Sequence, residues 1–181
     1  MGEVRAAWGK QSFYLWDVGG ESDLARLGFH HLWTRPWFVR RPSPWESEPT
    51  SEVEFSRVQD VSGLLAYEKA SKAGLESEDD PGPWHAESTL EDENISYVVG
   101  RRGGEVVVSG VTYASADLVG VYGISTPPEF RRRGYGRALL EHFVARHAGS
   151  SLGAWPDPVY VSIYTDAGFE IGGEIAAWLS P

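Results

Sequence analysis

The 181-residue chain contains no cysteine. Disulfide frameworks, zinc–thiolate sites and cysteine nucleophiles are therefore excluded. The chain also lacks a run of 18 apolar residues, and its start shows no charged segment followed by an apolar one, so we expect neither a membrane partner nor a signal peptide. A cytoplasmic location is the resulting expectation, and the excess of Arg over Lys is typical of a GC-rich bacterial genome.

Basic residues are scarce as well. The 16 Lys and Arg residues face 26 Asp and Glu residues, which gives a net charge of -10 at pH 7. Binding to nucleic acid depends on basic surfaces that release counterions from the phosphate backbone. The charge balance therefore argues against nucleic acid as a partner.

A strand, a glycine-containing turn and a helix are predicted in succession over residues 117–148. The apolar run of 118–124 is typical of a strand, and Pro127 and Pro128 would end it because proline donates no ladder hydrogen bond. After the turn, apolar residues recur at helical spacing at Leu139, Leu140, Phe143 and Val144. Glycines allow backbone N–H groups to approach a ligand closely, and a helix N-terminus attracts anions, so this turn predicts a phosphate or pyrophosphate site.

The turn carries a recognisable motif. Arg131, Gly134 and Gly136 fill the spacing Arg-x-x-Gly-x-Gly, which resembles the acetyl-CoA signature of the GCN5-related N-acetyltransferase (GNAT) family. A P-loop would need Gly-Lys-Ser/Thr, and a dinucleotide fingerprint would need Gly-x-Gly-x-x-Gly near the start of a βαβ unit. A second block, Tyr164-Thr165-Asp166-Ala167-Gly168-Phe169-Glu170, is similar to the Tyr-x-x-x-Gly-Phe segment after the last main helix of that family. The resemblance covers about residues 52–180.

The resemblance implies an α/β (α+β) GNAT fold, in which helices flank a mixed, mostly antiparallel central sheet. We predict strands over 52–58, 95–100, 105–113, 117–126, 151–155 and 174–179, and helices over 60–74, 137–148 and 157–164. A loop is predicted over 77–83, and a short helical piece around 84–90. In the family the sheet splays between its fourth and fifth strands, here those over 117–126 and 151–155. The GNAT domain would span 51–181.

Residues 1–50 form a separate aromatic segment outside this core. This segment is too aromatic for a disordered tail, so we expect it to pack on the core or to extend it. It could also cover a dimer face, which makes a homodimer possible. A sharper hypothesis places Trp33, Trp37 or Phe38 in the wall of an acceptor pocket. The adjacent His30 and His31 would face opposite ways on a strand and have no apparent third ligand, so we predict no metal site.

The resemblance also implies acetyl-CoA as co-substrate. The pantetheine arm would bond to the backbone of the fourth core strand, and the pyrophosphate would lie on the backbone of residues 132–137, where arginine side chains could add charge-assisted bonds. The predicted cofactor-binding residues are Ile124, Ser125, Thr126, Arg131, Arg132, Arg133, Gly134, Tyr135, Gly136 and Arg137.

The implied reaction is direct attack of an amine, from a small molecule or a peptide, on the thioester. Tyr164 would protonate the departing thiolate as general acid, since phenol and thiol have fairly similar pKa values; alternatively it only caps the pocket. A backbone N–H near Ile124 or Ser125 would polarise the carbonyl. The general base is open between Glu68, Asp117, His85 and a water chain.

A second hypothesis is a non-catalytic acyl-CoA-binding module of the same fold with a regulatory role. Many family members carry an Asn after the fifth core strand, whereas this chain continues into Trp155 and Pro156, which would narrow the groove. Carboxylates are concentrated over residues 51–98, and this acidic segment can be interpreted in two ways. They form either a solvated acidic face or an approach that attracts a cationic amine.

Overall fold

The computed structural model describes residues 13–19, 23–45, 52–75 and 83–181. The predicted loop over 77–83 therefore lies almost wholly outside the described residues. The chain divides into two compact units, a smaller one of residues 1–38 with 171–181 and a larger one of residues 39–170. The strands are β1 (Tyr14–Val18), β2 (His30–Arg40), β3 (Glu54–Arg57), β4 (Ile95–Arg102), β5 (Glu105–Ala114), β6 (Leu118–Ser125), β7 (Ser151–Ala154) and β8 (Glu170–Leu179). The α-helices are α1 (Val61–Gly74), α2 (Tyr135–Arg146) and α3 (Val161–Asp166).

The larger unit contains a sheet with the order β7-β6-β5-β4-β3. Neighbouring strands from β3 to β6 are antiparallel, and β6 pairs with β7 in parallel. The sheet is therefore mixed and mostly antiparallel, which confirms the predicted fold class. Helices α1 and α2 both pack on β5 and β6. None of the described helices has the length and apolar character to cross a bilayer.

Helix α1 begins and ends where the sequence predicts. The Asp60 carboxylate accepts a hydrogen bond of 2.7 Å from the backbone N–H of Gly63, which satisfies one of the free donors at the helix start. Farther along, Leu64 and Tyr67 are buried in an apolar cluster with Tyr97 and Val99 of β4. The helix ends at Gly74, and this end reaches the site described below.

Helix α2 is displaced by two residues from its predicted range of 137–148. Gly134 occupies the N-cap position with a φ of +81°, a left-handed conformation that suits glycine, so the helix begins at Tyr135. The helical pattern ends at Arg146 because His147 leaves helical geometry. Gly136 consequently lies inside the first turn of the helix rather than in the loop before it.

The smaller unit holds β8 between β1 and β2. β1 and β8 are antiparallel, with Tyr14 opposite Leu179 and Val18 opposite Ile175. The described part of residues 1–50 therefore supplies two strands. The last strand begins at Glu170 rather than Glu174, because Gly172 and Gly173 weaken the strand pattern without ending the strand. A domain boundary at residue 50 stays a prediction.

Candidate acetyl-CoA groove between two diverging strands

A groove opens where β6 and β7 separate. The two strands pair at Leu118–Ser151, Val119–Leu152 and Gly120–Gly153. Beyond these pairs a cavity of about 580 Å³ lies between residues 121–126 and residues 155–157. The end of α1, the turn before α2, the first turn of α2 and part of α3 complete its wall. The splay expected between the fourth and fifth core strands is therefore present.

A β-bulge shapes the β6 side of the groove. Ser109 of β5 lies opposite Ser125, but Val111 lies opposite Tyr122, so β6 carries one extra residue between these pairs. Gly123 falls within the bulge and has a φ of +57°, which strains any residue with a side chain. Bulges of this kind redirect a strand and are common beside functional sites. Ile124, Ser125 and Thr126, predicted to bind the pantetheine arm, line the groove here.

The turn before α2 forms a concave surface of backbone donors. Arg132 and Gly134 have left-handed φ values of +61° and +81°. The first helical hydrogen bond runs from Ala138 N to Gly134 O at 2.9 Å. The N–H groups of residues 135–137 therefore have no acceptor within the helix. Backbone turns of this type, placed at a helix N-terminus, bind anions.

The two glycines of the turn leave space for a ligand. No heavy atom lies within 4 Å of the position that a Cβ at Gly134 would take. A Cβ at Gly136 would lie 3.7 Å from both Ile124 and Thr126, facing the groove. Arg131, Arg132, Tyr135 and Arg137 also line the groove, whereas Arg133 does not.

The arginine side chains of the turn have different environments. Arg131 donates to two backbone carbonyls, from Nη2 to Gly74 O at 2.8 Å and from Nε to Thr126 O at 3.2 Å. Its guanidinium thereby joins the end of α1 to the end of β6. Arg137 forms an exposed ion pair of 2.7 Å with Asp166. Arg133 donates to Glu129 O at 3.0 Å, whereas the side chain of Arg132 is exposed beside the groove.

Tyr164 also lines the groove. It lies on α3 with 9% of its surface exposed, and its ring meets that of Phe169 edge to face at 5.4 Å. Burial raises the pKa of Tyr164 to about 12 because the phenolate would be poorly solvated. The phenol is therefore neutral throughout the physiological range. It is a weaker acid than the similarity of phenol and thiol pKa values predicts.

Comparison with known proteins identifies this arrangement. The sequence model described as "Acetyltransferase (GNAT) family" matches residues 28–155, well over half of the chain. The chain belongs to the GNAT acetyltransferase family. Its members are acetyl-CoA-dependent acyltransferases that acetylate small-molecule or peptide amines. The search of curated proteins found no match.

Solved structures share the fold at low sequence identity. A GCN5-related N-acetyltransferase from Kribbella flavida aligns with a TM-score of 0.69 and 20% identity, over 99% of this chain and 72% of its own. The ribosomal-protein-S18-alanine N-acetyltransferase from Escherichia coli aligns with a TM-score of 0.53 and 18% identity, over 71% and 93%. An aminoglycoside acetyltransferase, meta-AAC0020, from an uncultured soil metagenomic sample aligns with a TM-score of 0.52 and 17% identity, over 66% and 88%.

The groove fits the co-substrate of the GNAT family. Its backbone cradle, with open space in front of Gly134, suits a pyrophosphate, and the cleft between β6 and β7 suits an extended arm. The tilted pair of Tyr122 and Trp155, with ring centroids 4.6 Å apart, lies in the groove wall. Trp155 and Pro156 are thus at the place where the sequence predicts a narrowing.

Two of the three candidate general bases are in contact in this GNAT protein. Glu68 and His85 meet with their side chains 3.1 Å apart. Asp117 lies in the bend before β6, and none of these three residues lines the groove. In the described parts of the chain, no three His, Asp or Glu side chains converge as a metal ion would require.

Sequence reasoning missed several residues of the groove. Gly74 was predicted only as a helix end, and Leu75, Gly123, Tyr160 and Ile163 were not singled out, yet all of them line the groove. Leu75 and Tyr160 belong to segments far apart in sequence, and no motif indicates that they share one wall. Gly123 gave a signal, since a glycine inside a strand pattern is typical of a bulge.

Proposed function

We propose that this protein transfers the acetyl group of acetyl-CoA to the amine of a small molecule or peptide by direct attack, with Tyr164 as general acid. The observation that carries the proposal is the position of Tyr164 in the same groove wall as the turn over 131–137. A cofactor held on that turn and extended along β6 would bring its reactive end toward the interior of the groove.

Each part of the groove then has a separate task. Acetyl-CoA supplies the activated thioester. The backbone N–H groups of residues 132–137 hold the pyrophosphate, and the side chains of Arg132 and Arg137 add positive charge beside it. Arg133, which is also among the predicted cofactor-binding residues, would contribute its backbone N–H group rather than its side chain. The side chain of Arg131 acts through the protein, because it holds the ends of α1 and β6 together on one side of the groove.

The β6 backbone and Tyr164 act at the reacting end. The bulge at Gly123 interrupts the β5–β6 ladder, which leaves the N–H groups of Ile124 or Ser125 as candidates to polarise the acetyl carbonyl. Burial keeps the Tyr164 phenol protonated, so it donates a hydrogen bond to a departing sulfur and passes its proton as negative charge develops there.

The test compares Tyr164→Phe with Tyr160→Phe, since both tyrosines line the groove and each change removes only a hydroxyl group. Thiol release with a panel of sisomicin, spermidine and a lysine peptide would give kcat, and calorimetry would give the affinity for acetyl-CoA. We expect Tyr164→Phe to lower kcat by about 10²-fold or more while acetyl-CoA affinity stays within threefold. Tyr160→Phe should retain the wild-type kcat.

Other outcomes separate the alternatives. An unchanged kcat in Tyr164→Phe would remove the phenol from the mechanism and leave it as a pocket cap. Micromolar acetyl-CoA binding without thiol release for any amine would favour the non-catalytic acyl-CoA-binding module. Absence of acetyl-CoA binding would overturn the assignment of the groove.

A further inference from the structure

Glu68 is a buried carboxylate on α1, with 5% of its surface exposed. Burying a charge is costly unless the charge is paired or hydrogen-bonded. Three N–H groups of one segment meet its Oε1 atom: the backbone N–H groups of Trp84 and His85, at 2.9 and 2.8 Å, and the Nδ1 atom of His85 at 3.1 Å. The carboxylate therefore holds both the backbone and the imidazole of His85.

This contact fixes which nitrogen of His85 is available. An ionised carboxylate only accepts hydrogen bonds, so Nδ1 carries the proton and Nε2 carries the free lone pair. The ring is held edge to face by Tyr67 and Tyr97, at centroid distances of 5.6 and 4.9 Å. About a quarter of the His85 side chain remains exposed. A carboxylate that orients an imidazole and balances its positive charge is the arrangement that general-base histidines use.

The pair lies one aromatic ring away from the groove. The Tyr67 hydroxyl is 3.7 Å from the position of a Cβ on Gly123, the bulge residue in the groove wall. Gly74, which lines the groove as well, follows Glu68 by six residues on the same helix, a rise of about 9 Å. Burial raises the pKa of Tyr67 above its usual value, so its phenol stays protonated and cannot serve as the base.

We propose that His85, oriented by Glu68, accepts the proton that the acceptor amine loses, and that the amine enters the groove on the Tyr67 side. This inference rests on the proposed function. As the C–N bond forms and the C–S bond breaks, the sulfur takes a proton from Tyr164 and Nε2 of His85 takes one from the amine nitrogen. The imidazolium and the phenolate then return to neutral by exchange with solvent, so amine and thioester yield amide and thiol.

Among the described residues, the titratable groups in contact with His85 come from α1 and β4. Glu68 and Tyr67 face it from α1, and Tyr97 faces it from β4. Asp92 acts on Tyr97 from the segment before β4. Glu68 is the group in direct contact, and protonation of His85 there yields a neutral pair rather than a new buried charge.

The decisive variant is His85→Asn, because the asparagine amide N–H can still donate to Glu68 but the side chain offers no base. Kinetics with the same amine panel would be measured at pH 7 and pH 10, with calorimetry for acetyl-CoA and thermal unfolding. We expect kcat at pH 7 to fall about 10²-fold or more. Affinity for acetyl-CoA and the unfolding midpoint should stay near the wild-type values. At pH 10 the loss should shrink to within tenfold, since hydroxide in the solvent can then take the amine proton in place of His85.

Tyr97→Phe is the matched control, because it keeps the ring against His85 and removes only the hydroxyl that donates to Thr89. It should leave the pH dependence of kcat unchanged. A kcat for His85→Asn within threefold of wild type, or an equal loss at both pH values, would overturn the base assignment while Tyr164→Phe could still support the proposed function. No turnover with any amine of the panel would overturn both.

Discussion

Replacing Gly74 with alanine should disturb the groove from the α1 side. A Cβ at this position would lie 2.0 Å from Ser125 Oγ and 2.9 Å from the backbone nitrogen of Thr126. Ser125 Oγ is itself bonded to Ser71 O at 3.2 Å, and the Thr126 nitrogen belongs to the backbone. The helix end or the strand end must therefore move, although Arg131 joins the two through Gly74 O and Thr126 O.

The expected cost follows from opposing contributions. Overpacking of a buried contact costs about 1–3 kcal/mol, and displacing the Ser125 hydroxyl from its acceptor costs about 1 kcal/mol. Against this, alanine favours the helical conformation over glycine by up to about 1 kcal/mol. The net loss is about 2 kcal/mol, which corresponds to a decrease of about 4–8 °C in Tm for a chain of this size. Displacement of Ser125 and Thr126 in the groove wall should also weaken acetyl-CoA binding by about tenfold.

Calorimetry of unfolding and of acetyl-CoA binding would measure both effects. Gly149→Ala is the matched control, since no heavy atom lies within 4 Å of its Cβ position. Adding Ser125→Ala to Gly74→Ala removes the nearest clash, so the double variant should lose less than the sum of the single losses. If Gly74→Ala were as stable as Gly149→Ala, the close packing of α1 against β6 would be refuted.

Two further predictions concern the cradle and the pH dependence of stability. Gly136→Leu should abolish acetyl-CoA binding by filling the groove, whereas Gly136→Ala should bind acetyl-CoA within tenfold of wild type. If calorimetry gave Gly136→Leu the same affinity for acetyl-CoA as the wild type, the cofactor would not bind against this turn. Burial, aided by Arg146, lowers the pKa of His142 and His147. The unfolded chain then binds protons more readily, so stability should fall as pH drops below about 6.5. Urea midpoints at pH 8 and 5.5 would measure this, and a smaller difference is expected for His147→Gln; a midpoint independent of pH would count against the burial of these rings.

The local features of this protein were predictable because neighbouring residues determine them. Asp60 before an apolar helical pattern predicts the start of α1, and its carboxylate caps that helix. The turn from Arg131 to Gly136 predicts a strand, an anion cradle and a helix in this order. Its glycines specify the cradle directly, since the left-handed φ of Gly134 depends on the absence of a side chain.

Features that depend on packing were not predictable in the same way. The sequence leaves open whether a glycine ends an element, as Gly134 does before α2, or lies within one, as Gly172 and Gly173 do in β8. The sequence predicts Arg131 as a cofactor-binding residue, but it gave no sign that the guanidinium also donates to carbonyls of α1 and β6. Those partners lie 57 and 5 residues away in sequence, and only one of them is local.

Taken by itself, the amino-acid sequence determined the family, the order of the core elements and the glycine-containing turn before α2, because each rests on spacings within a single segment. The tertiary structure alone decided which distant groups share a site. It brings Gly74 against Ser125, places the rings of Tyr122 and Trp155 together in the groove wall, and joins Glu68 to His85. The physical reason is that burial and hydrogen bonding between segments far apart in sequence depend on packing, for which a single sequence carries no periodic signal.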